Sequence, residues 1–153
     1  FSAPDTQAVE RFIGNRDNDR FSYAEVGATA DMPPPGYNID HNRQLLGTGR
    51  DVFGSAKQAV REWKMFDFPW IRLVSDETPI ETGRTVAIVA EHLGFNSINA
   101  SRIVYTIDEV DRFGFAYGTL TEHAEIGEER FLVEFDVGTG NVWYDLFAAG
   151  NDP

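Results

Sequence analysis

The chain has 153 residues, of which 42% are hydrophobic and 13% aromatic, and it contains no cysteine. That supplies a core without staples and excludes a disordered tail, a disulfide scaffold, a zinc–thiolate centre and an iron–sulfur cluster. Asp and Glu number 25 against 13 Lys and Arg, a net charge of −12; such a field repels a phosphate backbone and an anionic membrane surface, so no nucleic-acid partner is expected.

No apolar run reaches the ~18 residues of a membrane span, and no signal-like segment opens the chain. A cytoplasmic single domain over residues 1–153 is expected, with residues 1–20 as an N-terminal helix and loop and 21–153 as the main body. Asp5 to Ile13 is predicted to be helical, with Val9, Phe12 and Ile13 on one face and Gly14 as its stop. Asn15, Asp17 and Asp19 alternate like the start of a calcium loop, but Arg20 stands where such a loop needs glycine, which leaves a solvated loop. Phe21 to Thr29 is predicted as the first strand, Phe21 and Tyr23 alternating with Ser22 and Ala24. Pro33, Pro34, Pro35 and Gly36 then break the chain into an extended connector.

Gly47, Thr48 and Gly49 open the main helix, with Thr48 as N-cap and Asp51 in the capping-box position. Phe53, Ala56, Val60 and Trp63 recur at spacings of three and four, the apolar stripe of a packed helix, and Pro69 ends the segment. Val52 occupies the third glycine position of a dinucleotide loop, so the two glycines mark a helix-entry turn. Six strands follow: Trp70–Val74, Arg84–Leu93, Arg102–Val110, Phe113–Leu120, Arg130–Val137 and Asn141–Ala148, joined by turn-like Thr82-Gly83, Asp111-Arg112 and Gly138-Thr139-Gly140. Phe131, Val133, Phe135 and Val137 alternate with Arg130, Leu132, Glu134 and Asp136, predicting one dry and one largely wet face. The fold class is α+β: a curved antiparallel sheet of about seven strands, ordered strand, helix, six-strand meander, packed on a helix.

His41, His92 and His123 lie in separate segments without metal-ligand spacing, and no Gly-x-Ser-x-Gly elbow occurs, so neither a metal nor another cofactor is expected. The densest stretch is Gly114 to Leu120, followed by Glu122-His123 and by Gly127-Glu128-Glu129-Arg130-Phe131. Gly114, Ala116 and Gly118 share one strand face, which marks a close approach by backbone or ligand. A histidine beside carboxylates and a tyrosine hydroxyl suits acid–base work; a hydrogen-bonded hairpin is the plainer reading of the same residues.

This stretch is similar to the signature of uncharacterised protein family 0548, a domain-of-unknown-function group. Supporting matches are Tyr23-x-x-Val26-Gly27-x-Thr29, Pro35-Gly36-Tyr37, Leu46-Gly47-x-Gly49, Phe53-x-x-Ala56, Trp63, Trp70 and Arg102-Ile103-Val104-Tyr105. The resemblance carries over no catalytic residue. It implies a C-terminal helix after Asn141–Ala148, and because the chain stops at Asn151-Asp152-Pro153 that helix is expected to be missing. With it added, the order resembles the helix-grip fold of lipid-transfer and polyketide-cyclase proteins (START and Bet v 1-like), in which sheet and last helix enclose an apolar cavity.

The function expected is a non-enzymatic domain holding a hydrophobic small molecule or lipid, with Arg102, Tyr105, Phe115, Tyr117, Thr119, His123, Glu128 and Phe131 as candidate ligand-binding residues. Aromatic walls with a few placed polar groups are what such a pocket needs, although large rings also simply fill cores. The alternatives are a cyclase- or hydrolase-like enzyme, with His123 as acid or base and Glu128 orienting it, and a protein-interaction module. Oligomeric state is open at this level.

Lys57 and Lys64 are the only lysines against eleven arginines, and carboxylate excess with little lysine suits concentrated salt, where screening removes self-repulsion. The Debye length falls from about 10 Å at 0.1 M to about 3 Å at 1 M. The melting temperature is expected to climb as potassium chloride is raised across that range and beyond; a flat or falling curve would mark an ordinary acidic domain.

Overall fold

The computed structural model describes residues 6–16, 19–66, 71–74, 78–92, 95–120 and 126–151. Asp5, Asp17, Pro69, Trp70, Leu93, Glu122 and His123, all named above, lie outside the described residues. Two helices, α1 (Thr6–Arg16) and α2 (Arg50–Arg61), accompany seven strands: β1 (Asn38–Thr48), β2 (Ile71–Val74), β3 (Thr85–His92), β4 (Phe95–Asp108), β5 (Arg112–Thr119), β6 (Ile126–Phe135) and β7 (Asn141–Asn151). All pair antiparallel in one sheet of order β1-β7-β6-β5-β4-β3-β2. The six later strands form the expected meander, and β1 returns beside β7. The α+β arrangement of strand, helix and six strands, with the sheet gripping a helix, is the observed one.

The first strand is displaced from its predicted place. Phe21 makes only an isolated bridge to Leu120, and residues Ala28–Ala30 form a 3-10 turn. The connector instead supplies β1, whose sequence Asn-Ile-Asp-His-Asn-Arg-Gln has no apolar alternation to betray it. Its ladder runs from Asn38 opposite Gly150 to Thr48 opposite Asn141, so pairing with β7 makes it a strand rather than its own propensity.

Helix ends also differ, each for a visible reason. Helix α1 passes Gly14 to reach Arg16, where Arg102 donates to the Arg16 carbonyl at 2.9 Å and to the Asp19 carbonyl at 2.8 Å, closing the helix C-terminus. At α2 the N-cap is Gly49 with no side-chain cap; Thr48 is the last residue of β1, and Gly49 N–H donates to the Gly140 carbonyl at 2.8 Å. The helix stops at Arg61 because Trp63 takes a left-handed φ of 58°, the turn-out that usually falls to glycine. That posture buries the indole and lets its N–H donate to the Thr78 carbonyl at 2.9 Å.

The core lies between α2 and one face of the sheet. Phe53, Val60 and Trp63 pack against Phe113, Phe115, Phe131, Val133 and Val142, with Trp63 and Phe115 ring centroids 5.0 Å apart. The opposite face is not wet, contrary to the alternation in β6: Leu132, Ala116, Glu128 and Asp145 are buried there, while Val137 sits 73% exposed in the β6–β7 turn. The cover over part of that outer face is the segment from Phe21 to Ala30. Ser22 N–H donates to the Thr119 carbonyl at 2.9 Å, and Tyr23 lies across Gly118. Among the described residues no helix is long and apolar enough to cross a membrane.

A Cβ on Gly118 would lie 2.1 Å from the Tyr23 hydroxyl and 2.8 Å from its ring. Tyr23 is pinned and unable to yield, so Gly118→Ala is expected to cost about 1–3 kcal/mol in urea unfolding, an overpacking penalty. Combined with Tyr23→Ala it should cost less than the sum of the two singles, because the clash has lost one partner.

Candidate functional site

Among the described residues, two polar assemblies and a cavity lie on the sheet. On the outer face, Glu128 projects from β6 and is 3% exposed. Its Oε1 accepts from the Tyr23 hydroxyl at 2.7 Å and Gly27 N–H at 2.6 Å; its Oε2 accepts from Thr29 N–H at 2.8 Å and the Thr29 hydroxyl. With the Thr29 proton committed to the carboxylate, the Tyr105 hydroxyl donates to Thr29 Oγ1 at 2.7 Å. Burial, reinforced by the hydrogen bond to Glu128 and its charge, pushes the Tyr23 hydroxyl far above the usual phenol range. Four donors match the lone-pair capacity of a carboxylate. Glu128 therefore serves as an acceptor hub.

Next to it on the outer face stands Asp145 of β7, 1% exposed. Its Oδ2 meets His41 Nε2 at 2.8 Å and Arg43 Nη1 at 2.6 Å from β1, while its Oδ1 accepts from Arg130 Nη2 at 2.8 Å from β6. Arg130 also donates to the Thr29 carbonyl at 3.3 Å, which joins the two assemblies. Burial alone would raise the Asp145 carboxyl; the bonds from His41, Arg130 and Arg43 outweigh it and hold the group below the usual carboxylate range.

The cavity opens on the inner face at the far end of β5, β6 and β7 from the helix entry. It measures about 90 Å³ and is bordered by Ser101, Tyr117, Thr119, Glu129 and Ala148, with Ile126 and Ala149 adding apolar wall. Tyr117 pairs with Glu129, and Glu129 with Ala148, across the three strands. Tyr117 is the boundary between core and cavity: its ring stacks on Phe66 and meets Phe131 edge-on, and its hydroxyl donates to Glu129 at 3.4 Å. Gly127 shapes the rim with a φ of +149°; a Cβ there would fall 2.3 Å from the Ala149 carbonyl oxygen. Its N–H donates to Thr119 Oγ1 at 2.9 Å. Tyr144 is pushed up by burial and by the charge of Glu129.

The predicted site residues thus divide. Tyr117, Thr119 and Glu128 border the cavity. Phe115 and Phe131 are core, their rings stacked with centroids 5.1 Å apart. Arg102 and Tyr105 are on the outer side, clamping α1 and Thr29. His123 lies outside the described residues. Glu129, Ser101 and Ala148 join the cavity through register alone, and Tyr23, Thr29, His41, Arg43 and Asp145 form the outer assemblies, for which the sequence carried no signal beyond the Tyr23-to-Thr29 stretch. Among the described residues no group of three or more His, Asp or Glu is placed to hold a metal ion.

A family model described as a domain of unknown function, DUF1990, matches residues 22–150. A UPF0548 protein of Dictyostelium discoideum is 34% identical over 150 residues, covering 88% of this chain and 69% of that one. One from Deinococcus radiodurans is 36% identical over 155 residues, covering 94% and 77%. One from Arabidopsis thaliana is 33% identical over 132 residues, covering 82% and 63%. Among solved structures, major latex-like protein 151 of Panax ginseng overlaps 76% of this chain and 80% of its own, at 16% identity and a TM-score of 0.47.

Asp145 yields a prediction with a sign. A carboxyl held below its unfolded value stabilises the fold above the unfolded pKa, about 3.9, and loses that contribution as pH falls through the folded one. Asp145→Asn takes the buried countercharge from Arg130 and Arg43 and should cost about 1–3 kcal/mol at neutral pH, less than a fully buried pair because both guanidiniums keep contact with water. In paired urea titrations the gap from the parent protein should narrow below about pH 4; a constant gap would remove charge as the cause.

Proposed function

The chain belongs to the DUF1990 family of UPF0548 proteins, and from the site it carries we infer a non-catalytic binding domain for a hydrophobic small molecule or lipid bearing a polar end. The observation behind this reading is the cavity at Tyr117. On one side lies a packed aromatic cluster of Trp63, Phe66, Phe115 and Phe131; on the other, a small hollow with apolar walls, the hydroxyls of Ser101, Tyr117 and Thr119 and the carboxylates of Glu128 and Glu129. Ligand pockets combine these features: apolar walls give affinity and a few fixed polar groups give orientation.

Size limits what enters. At about 90 Å³ the hollow falls well short of the ~300–1,000 Å³ of pockets that enclose a whole drug-sized ligand, too little for a whole sterol or fatty acid. The hollow suits the polar end of a ligand, with Ser101 and Glu129 as its partners and Thr119 fixing the rim through Ser22 and Gly127. Glu128 borders the hollow, yet its carboxylate is engaged by four donors, so its contribution is to fix Gly127 and the rim. That engagement also weighs against an acid–base pair with His123, which would have to displace a buried donor.

Fatty acids, isoprenoid alcohols and sterols, assayed by thermal shift, test the reading. A ligand at a hundred times its Kd adds about 2.7 kcal/mol, and each kcal/mol moves a domain of this size by roughly 2–4 °C. At least one class should raise the melting temperature, and Ala148→Leu, which fills the hollow, should abolish the rise. No response from any class, or a response that survives Ala148→Leu, would overturn it.

A further inference from the structure

We propose that β1 is a pairing edge for a second copy of this chain, the two strands running antiparallel across a two-fold axis that passes beside Asn42. Strand β1 ends the sheet, is eleven residues long, and is exposed at every position from Asn38 to Leu46. A strand so placed presents a row of peptide groups on its free side that pairs with another strand unless something blunts it. Over Ile39 to Leu45, β1 carries no proline and no lysine, and its bulge falls beyond that stretch, between Leu45 and Gly47.

Charge singles out the same place. In a chain of net −12, Asn38 to Thr48 holds one acid, Asp40, and one arginine, Arg43. Arg43 and His41 are turned back onto Asp145 of their own sheet. Two strongly acidic molecules therefore meet with least repulsion along this edge.

Register then selects the centre. A two-fold axis normal to the sheet keeps outer residues opposite outer ones, so facing residue numbers sum to an even value. Centring on Asp40 sets Asp against Asp, and centring on Arg43 sets Arg against Arg, both of which like-charge repulsion penalises. Centring on His41 places Ile39 against Arg43, and centring on Gln44 places Leu45 against Arg43. Only Asn42 as centre brings Ile39 of each copy opposite Leu45 of the other, two exposed apolar side chains at 50% and 49%. The same register faces Asp40 with Gln44, the Asn42 amide with itself, and His41 with Arg43, both of which are already held by the Asp145 carboxylate of their own sheet. The result joins two seven-stranded sheets into one continuous sheet.

The absence of cysteine from the chain makes the test specific. Directly opposed residues of an antiparallel pair have Cα atoms about 4.5–5.5 Å apart, within disulfide range. Asn42→Cys should give a covalent dimer on mild oxidation, at least tenfold faster than Val137→Cys at the exposed β6–β7 turn. Sedimentation of the unaltered chain, in about 0.5 M salt to screen the net charge, should reveal a dimer. Ile39→Lys with Leu45→Lys should weaken it at least tenfold, with the melting temperature kept as the control on folding. A chain monomeric up to about 1 mM, its edge free for a strand of some other protein, overturns the proposal. So does a dimer whose Asn42→Cys form cross-links no faster than Val137→Cys, or one indifferent to the paired lysines.

Discussion

Glu128 carries a carboxylate into the interior on the outer side of the sheet, where removing such an ion from water costs several kcal/mol. The fold answers with four donors drawn from one short segment: the Tyr23 hydroxyl, the Gly27 and Thr29 amides and the Thr29 hydroxyl. At about 1.5–3 kcal/mol for each bond to a charged group, four together offset the desolvation and three do so less securely. The segment from Phe21 to Ala30 is irregular for this reason. Its backbone amides turn toward a side chain instead of a neighbouring strand, and Gly27 takes a φ of +93° to point its N–H inward. Tyr23 in turn demands a bare backbone beneath it, which Gly118 provides.

Asp145 solves the same problem with the opposite chemistry. Glu128 is held by neutral donors that bring no countercharge; Asp145 is held by Arg130, Arg43 and His41, so its assembly carries its own countercharge. The consequence is a division of the protein's charge. Arg130 is common to both assemblies: it reaches Thr29 and Asp145 together and ties the outer segment to the strand pair β6–β7. Arg43 reaches across to Glu134 as well, at 2.8 Å, which locks β1 to the sheet through side chains in addition to its ladder.

These ties explain how the hollow beside Tyr117 keeps its shape. The outer layer rigidifies β5, β6 and β7 from behind, and Thr119 transmits that order to the rim: its hydroxyl meets Ser22 at 2.5 Å on the outer segment and Gly127 at the cavity edge. The hollow beside Tyr117 thus rests on a scaffold whose rigidity comes from the other side of the sheet. The edge at β1 is held in the same way, its outer side chains anchored to Asp145 while its free peptide groups face away.

Much of the architecture was legible in the chain itself. The stripe of Phe53, Val60 and Trp63 announced the packed helix, the turns at Gly83, Asp111 and Gly138 separated the strands, and the stretches from Tyr23 to Thr29 and Gly114 to Phe131 pointed to the family. Periodicity and turn chemistry are local, so local sequence states them. What tertiary structure decided was everything that depends on a partner about a hundred residues away. The alternation at Phe21 and Tyr23 looks like a strand but serves a carboxylate at position 128; the polar run at β1 looks like a loop but is made a strand by β7. Asp145 sits at an outward position in its strand and reads as solvated until His41, Arg43 and Arg130 close around it. A polar side chain is buried or exposed according to the donors that reach it, and only the folded chain brings those donors within hydrogen-bonding distance.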